Sequence, residues 1–282
     1  MYADYREGYR TRRRGDRTRC TVSDDASYDL DAGPDPADYA ASTPEPPSET
    51  GGRVVRAVGI GPGSPEYLVP RAERALREAD VAVGFETVVD LVRGRTDADW
   101  LTCGYADEAA ALEAFAERVA GGERGVAVLM GDPNHSGYQF VGKVERALDE
   151  AADDSVGLRV VPGISSLQVA ASRARTPVED ATFVTLHKSG GLDDDLARLR
   201  RDAGDRHLLV LPRPFDWMPG DIARDLLDNG CDRSDGALVC ERLTRDDEAI
   251  TRTTVGELAR HAGGTDRSDT PFSDLSVLVV RR

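Results

Sequence analysis

From residue 53 onward, short apolar runs alternate with stretches in which apolar residues return every three or four positions, the period of a helix face packed on a sheet. Ala72, Ala75, Leu76 and Ala79 fall at i, i+3, i+4 and i+7 and predict one helix. Leu112, Phe115, Ala116 and Val119 repeat the spacing between Asp107, a candidate cap, and Gly121-Gly122, a candidate stop. A third helix carries Val141, Val144 and Leu148. Residues 54–58, 81–83, 126–130 and 158–161 read as strands, and 126–130 is apolar throughout, as in an interior parallel strand covered on both faces. The second half repeats the rhythm with strands at 183–186, 207–211, 237–240 and 275–280 and helices at 192–201 and 221–228, the latter with Ile222, Leu226 and Leu227 as its apolar members. The chain of 282 residues exceeds one domain of about 100–200, so two α/β units are expected.

Residues 1–52 break this pattern. A basic patch at 6–19 precedes Asp/Ser/Pro/Ala-rich sequence in which Val22 and Leu30 are nearly the only large aliphatics, and a disordered tail is expected because so little apolar area cannot offset ordering entropy. Arg12–Arg14 is not followed by an apolar segment, so no export signal is complete and the chain reads as cytoplasmic. A net charge of -15 argues against nucleic acid and against an anionic membrane surface, and no apolar run approaches the roughly 18 residues of a membrane helix. Lysine occurs only at 143 and 188 on this acidic, arginine-rich background, a balance that fits adaptation to high salt.

Chemistry concentrates at strand ends. Residues 54–67, VVRAVGIGPGSPEY, lead an apolar run into Gly59, Gly61 and Gly63 with two prolines. Gly131-Asp132-Pro133 follows 126–130, and Pro162-Gly163-Ile164-Ser165-Ser166 follows 158–161. Glycines allow positive φ and close backbone approach, while Pro62 stiffens its turn and removes a donor. A dinucleotide fingerprint would need glycine at 64, where serine stands. In an open parallel sheet ligands bind at the carboxyl ends of the strands, so the three loops point to one site. Cys20, Cys103, Cys231 and Cys240 form no C-x-x-C, and the four histidines lie apart from them. No metal site is expected, and no side chain is assigned to acid-base or nucleophilic catalysis.

Three stretches, GIGPGSPEYL, GDP after VAVLM, and VVPGISSLQVAA, in this order and spacing, resemble the tetrapyrrole methylase family, which uses S-adenosylmethionine; the likeness covers about residues 53–282. VEDATFVTLHKSGG resembles the segment carrying a Ser-Leu-His-Gly motif in the cobalt-precorrin-7 carbon-5 methyltransferases of cobalamin synthesis, and CERLTRDDEAITRTTVGELA resembles their C-terminal segment. The chain departs from the family at Ser64, where aspartate is common, at Asn134-His135, and at Lys188, where glycine is usual.

The resemblance implies an α/β, two-domain tetrapyrrole methylase fold: a mostly parallel N-terminal sheet in 53–175 and a mixed C-terminal sheet in 176–282, joined near residues 173–180, with the active-site cleft between them. By motif correspondence it puts the cofactor on Pro62, Gly131, Asp132, Ser165, Ser166, Leu211 and Leu243; Gly61, Gly63, Tyr138, His187 and Lys188 are the candidates for the acceptor, Tyr138 and His187 from strand and helix phase and Lys188 as a cation that the family pattern does not supply. It also implies a homodimer, a cobalt-precorrin acceptor and a possible partner that methylates carbon 15 and decarboxylates. Methyl transfer from a sulfonium to an electron-rich carbon needs positioning more than acid-base chemistry. A carboxylated acceptor needs local cations on an acidic protein, for which Lys188, Arg213, Arg242 and Arg245 are candidates. Alternatives are methylation of another precorrin or uroporphyrinogen carbon, a nicotinamide-dependent oxidoreductase, for which Glu86 lies only near the ribose position, and a non-enzymatic corrinoid-binding protein.

Overall fold

The computed structural model describes residues 33–34, 36–41, 53–104, 106–135, 137–152, 156–188, 191–214, 216–263 and 269–282. The chain divides into two compact units, one of residues 1–58, 73–129 and 139–161 and the other of residues 59–72, 130–138 and 162–282.

Most of the segment expected to be a disordered tail lies outside the described residues. Within it a short helix, α1 (Pro36–Ala41), departs from that expectation: Tyr39 is half-buried against the core of the first unit. In that unit β1 (Arg53–Gly59), β2 (Val81–Phe85), β3 (Asp99–Cys103), β4 (Gly125–Leu129) and β5 (Val156–Val161) form a parallel sheet in the order β3-β2-β4-β1-β5. Its helices are α2 (Pro70–Glu78), α3 (Glu86–Val89), α4 (Glu108–Ala120) and α5 (Tyr138–Ala152). Leu112, Phe115, Ala116 and Val119 of α4 and Val141, Val144 and Leu148 of α5 all pack into one core with Val55, Val83, Ala127 and Leu129, as their helical spacing predicts. Asp107 stands at the α4 N-cap but its carboxylate accepts from Gly104 N at 2.6 Å instead of capping the helix. Strand β3 is absent from the sequence expectation because DWLTC mixes polar and apolar residues without a clean period, as an edge strand can. Lys143 and Glu108 form an ion pair of 2.7 Å with side chains only 11% and 5% exposed. Beside it burial, then the Glu108 charge, pushes the Cys103 thiol up to about 12. One of the two lysines is thus held inside the fold.

The second unit contains β6 (Ala181–Thr185), β7 (His207–Leu211), β8 (Gly236–Glu241), β9 (Ala249–Thr254) and β10 (Ser276–Arg281) in the order β6-β7-β10-β8-β9. β6 and β7 are parallel and the other pairs antiparallel, so this sheet is mixed. Its helices are α6 (Ser166–Ala174), α7 (Asp193–Asp202), α8 (Pro219–Asp228) and α9 (Val255–Leu258). The period of two in the strands separates two cores. Leu208, Val210, Val239, Leu278 and Val280 pack with Leu199 of α7, Ile222 and Leu226 of α8, and Leu258 of α9. Leu209, Leu238, Cys240, Val277 and Val279 point the other way and pack with Leu167, Val169, Ala170 and Ala174 of α6. This explains why the partition differs from the expected division at 175/176: α6 follows the last strand of the first sheet in sequence, yet its apolar face is buried on the second sheet. The three strand-end loops belong to the same unit as α6.

Candidate functional site

The strand-end loops meet through backbone. Gly61 and Gly131 form a reciprocal bridge, Gly61 N donating to Gly131 O at 3.3 Å and Gly131 N to Gly61 O at 2.9 Å. Both have positive φ, 85° and 64°, which a side chain would strain. Gly59 and Gly163 are required for a different reason. A Cβ on Gly59 would lie 2.5 Å from Gly131 O and 2.7 Å from Gly163 N, and one on Gly163 would collide with Gly131 O, so all three loops touch at main-chain distance.

Side chains then fix the loops. Asp132 accepts from Gly163 N at 3.2 Å through one carboxylate oxygen and from Asn134 N and Nδ2 at 2.7 and 3.0 Å through the other. Asn134, a departure from the family pattern, is therefore a partner of the loop aspartate. Ser165 is buried as the N-cap of α6, where its hydroxyl accepts from Leu167 N at 3.2 Å while Gln168 Oε1 accepts from Ser165 N at 2.8 Å, a capping box. Ser166 opens the helix and is half-buried. Ser64 caps the 3-10 turn Pro65–Tyr67 by accepting from Glu66 N, the role an aspartate could also fill. Pro62 and Gly63 complete this first loop, and Gly63 (φ 152°) is closed over by Arg245, whose Cγ would be 2.9 Å from an added Cβ.

The remaining expected residues are placed as follows. Leu243 is buried against α6, whereas Leu211 is half-buried and its carbonyl accepts from Leu186 N at 2.8 Å. Tyr138 is half-buried at the start of α5. His187 lies just beyond β6, and Arg213 clasps the carbonyls on either side of it, donating to Leu186 O at 3.1 Å and Lys188 O at 2.8 Å. Burial lowers the His187 pKa below the ordinary histidine value and Arg213 lowers it further, against an opposing pull from Asp274, so the imidazole is neutral near pH 7. Lys188 has an ion-pair partner of its own. Its Nζ is 2.6 Å from Asp195 in the first turn of α7, so its charge is already matched within the protein. The other candidate cations also have carboxylate neighbours: Arg213 with Asp216 at 3.1 Å, Arg242 with Asp247 at 3.0 Å and Arg245 with Asp247 at 3.4 Å.

Sequence reasoning gave no role to His135, noted only as a departure from the family pattern, and did not single out Thr244. His135 stands edge-on to Phe183 with ring centroids 6.2 Å apart, directly after the Asp132 loop. Thr244 accepts a hydrogen bond from Ser64 N at 3.0 Å, 180 positions away in the chain. No group of three or more His, Cys, Asp or Glu residues at metal-binding distance occurs among the described residues.

The loops offer turned backbone, a helix N-terminus and few ionisable groups, an arrangement suited to binding a ligand through main chain rather than to acid-base chemistry. With one parallel and one mixed sheet, the chain is an α/β protein of two units. The family model for Tetrapyrrole (Corrin/Porphyrin) Methylases matches residues 54–259, and the chain belongs to this family. Among curated relatives, it is 31% identical over 134 residues to a cobalt-factor III methyltransferase of Priestia megaterium, a match covering 46% of this chain but only 24% of that longer protein. It is 26% identical over 211 residues to a probable cobalt-precorrin-7 C(5)-methyltransferase of Methanocaldococcus jannaschii, covering 73% of this chain and 92% of the relative. A solved uroporphyrin-III C-methyltransferase of Thermus thermophilus, complexed with S-adenosylhomocysteine, superposes with a TM-score of 0.61 at 23% identity, covering 81% of this chain and 92% of that one, a likeness of fold.

Proposed function

We propose that the protein transfers a methyl group from S-adenosylmethionine to carbon 5 of cobalt-precorrin-7 in cobalamin biosynthesis. The observation that carries the cofactor assignment is the three-way backbone junction of Gly59, Gly131 and Gly163 in a chain of the methylase family. The junction fits a bound cofactor. A side chain at Gly131 would stand 3.7 Å from Ser165 Cα and 3.9 Å from Ile164 O, in space that the bare glycine leaves beside the α6 N-terminus. Pro62, Gly131, Asp132, Ser165, Ser166, Leu211 and Leu243 hold the cofactor in this reading, mainly through main chain. Asp132 acts by ordering the second and third loops. Gly61, Gly63, Tyr138 and the neutral His187 face the acceptor.

When bound, S-adenosylmethionine supplies an activated methyl group, so the protein has to exclude water and hold donor and acceptor in line, a contribution that can reach effective molarities of about 10⁵ to 10⁸ M. The family resemblance at VTLHK and the 26% identity to the probable precorrin-7 relative support carbon 5. The 31% identity over 134 residues to a cobalt-factor III methyltransferase favours a second reading, methylation of another precorrin carbon. Incubating the protein with S-adenosylmethionine and a panel of precorrin intermediates, followed by mass spectrometry of the products, decides between them. Methylation of cobalt-precorrin-7 at carbon 5 is the expected result, and a product methylated elsewhere would replace the substrate assignment. The same reading includes a cytoplasmic homodimer and a partner that methylates carbon 15 and decarboxylates.

A further inference from the structure

The arch at residues 242–248 has an unusual backbone. Arg242 and Thr244 both have positive φ, 48° and 68°, with Leu243 buried between them. For a β-branched threonine this region is a true outlier, and such strain persists only where neighbouring contacts over-determine it. The contacts are present. Arg242 N donates to Leu275 O at 2.8 Å, Thr244 N donates to Glu248 Oε2 at 2.7 Å, and Arg245 N donates to Arg242 O at 3.1 Å. Glu248 is itself gripped by Arg173 near the end of α6, with Nε at 2.6 Å and Nη2 at 3.2 Å. The guanidinium, followed by the Thr244 amide, holds the Glu248 carboxyl below its ordinary pKa. So braced, Thr244 offers its hydroxyl oxygen to Ser64 N at 3.0 Å, in the first glycine loop.

We infer that Thr244 is a positioning residue for the methyl donor: its strained conformation aims one hydroxyl at the Ser64 amide and so fixes the Pro62-Gly63-Ser64 loop against the arch that carries Leu243. A threonine satisfying only local needs would relax to an ordinary φ. Here the left-handed conformation places the main-chain amide on Glu248 and the side chain on the loop at once. The inference rests on S-adenosylmethionine being the ligand, and the experiment separates the two.

The test measures S-adenosylhomocysteine affinity by titration calorimetry in the full chain, together with hydrogen exchange of the peptide spanning residues 61–68 in the absence of ligand. Thr244→Val keeps the shape and the branching and removes the acceptor. It is expected to weaken the affinity about tenfold, as loss of one such bond does, and to speed exchange in residues 61–68. Thr244→Ser restores the hydroxyl and is expected to recover most of both. A purely structural role would lower the melting temperature without confining the faster exchange to that loop. The donor gives a second route if Thr244→Val folds poorly. Ser64→Pro removes the N–H at a φ of -80° that proline tolerates, while Ser64→Ala removes only the cap on Glu66; the first must weaken the ligand more than the second. Wild-type affinity and unchanged exchange in Thr244→Val overturn the inference. Failure of the wild-type protein to bind S-adenosylhomocysteine overturns the cofactor assignment, and the positioning role with it.

Discussion

The three-loop junction makes a quantitative prediction at Gly163. This residue is not among the glycines of positive φ, so alanine meets no conformational penalty there and would by itself stabilise the chain by about 0.4–1 kcal/mol through the unfolded state. Against this, its Cβ would collide with Gly131 O and lie 2.8 and 2.9 Å from Gly59 C and Cα. All three are backbone atoms of other loops and none can swing aside as a side-chain end could. Overpacking costs typically 1–3 kcal/mol, and contact with main chain on two sides puts Gly163→Ala at the upper end. The net loss is then about 2 kcal/mol, or a fall in melting temperature of about 4–8 °C at the 2–4 °C per kcal/mol of a protein this size. Gly157→Ala is the control. It sits on β5 with nothing within 4 Å of an added Cβ and no positive φ, so its melting temperature should equal or exceed that of the wild type. Thermal melts of the three proteins, with S-adenosylhomocysteine titrations, form the assay. If Gly163→Ala melts with the wild type and binds equally well, the three loops do not meet at main-chain distance and the site as described is wrong.

Two further predictions concern solution conditions. The lowered pKa of His187 means that the unfolded chain takes up a proton before the folded one does, so stability is present above about pH 6.5 and is lost as pH falls from there towards the lower folded value. His207, whose pKa burial also lowers, contributes in the same direction, so His187→Asn should reduce the slope of stability against pH between about 6.5 and 5 without abolishing it. Denaturant melts across that range check the point, and an unchanged slope would mean that His187 is not held neutral. The net charge of -15 should make the fold more stable in molar KCl than in dilute buffer, because salt screens the repulsion among surface carboxylates. Thermal melts at the two salt concentrations test this, and equal or lower stability in KCl would remove the salt-adaptation reading.

What the sequence made legible follows the range over which each signal acts. The interior strand β4 could be read because burial on both faces leaves it apolar at every position, and α4 and α5 because one buried face imposes a helical period. The edge strands β3 and β9 had no such signal: each pairs with a single neighbour, and AITRTT at 249–254 is nowhere fully buried. Glycines marked the loop junction in the sequence because close backbone approach excludes a side chain at 59 and 163 and positive φ disfavours one at 61 and 131, constraints written in the residue itself. Charge pairing carries no comparable mark. Lys188 suggested an acceptor contact because a carboxylated acceptor needs cations on an acidic protein, and that reasoning could not see Asp195, which pairs with it from beyond a loop at the start of α7. Thr244 was the least visible. Nothing in ERLTRDDE announces a left-handed threonine, because that conformation is imposed by Glu248, Arg173 and a loop amide 180 positions earlier. A residue whose conformation is set from such distances can be replaced by many others in the sequence without upsetting any local rule. The cost of replacing it should therefore fall on the first glycine loop, and on what that loop binds, before it falls on the arch itself.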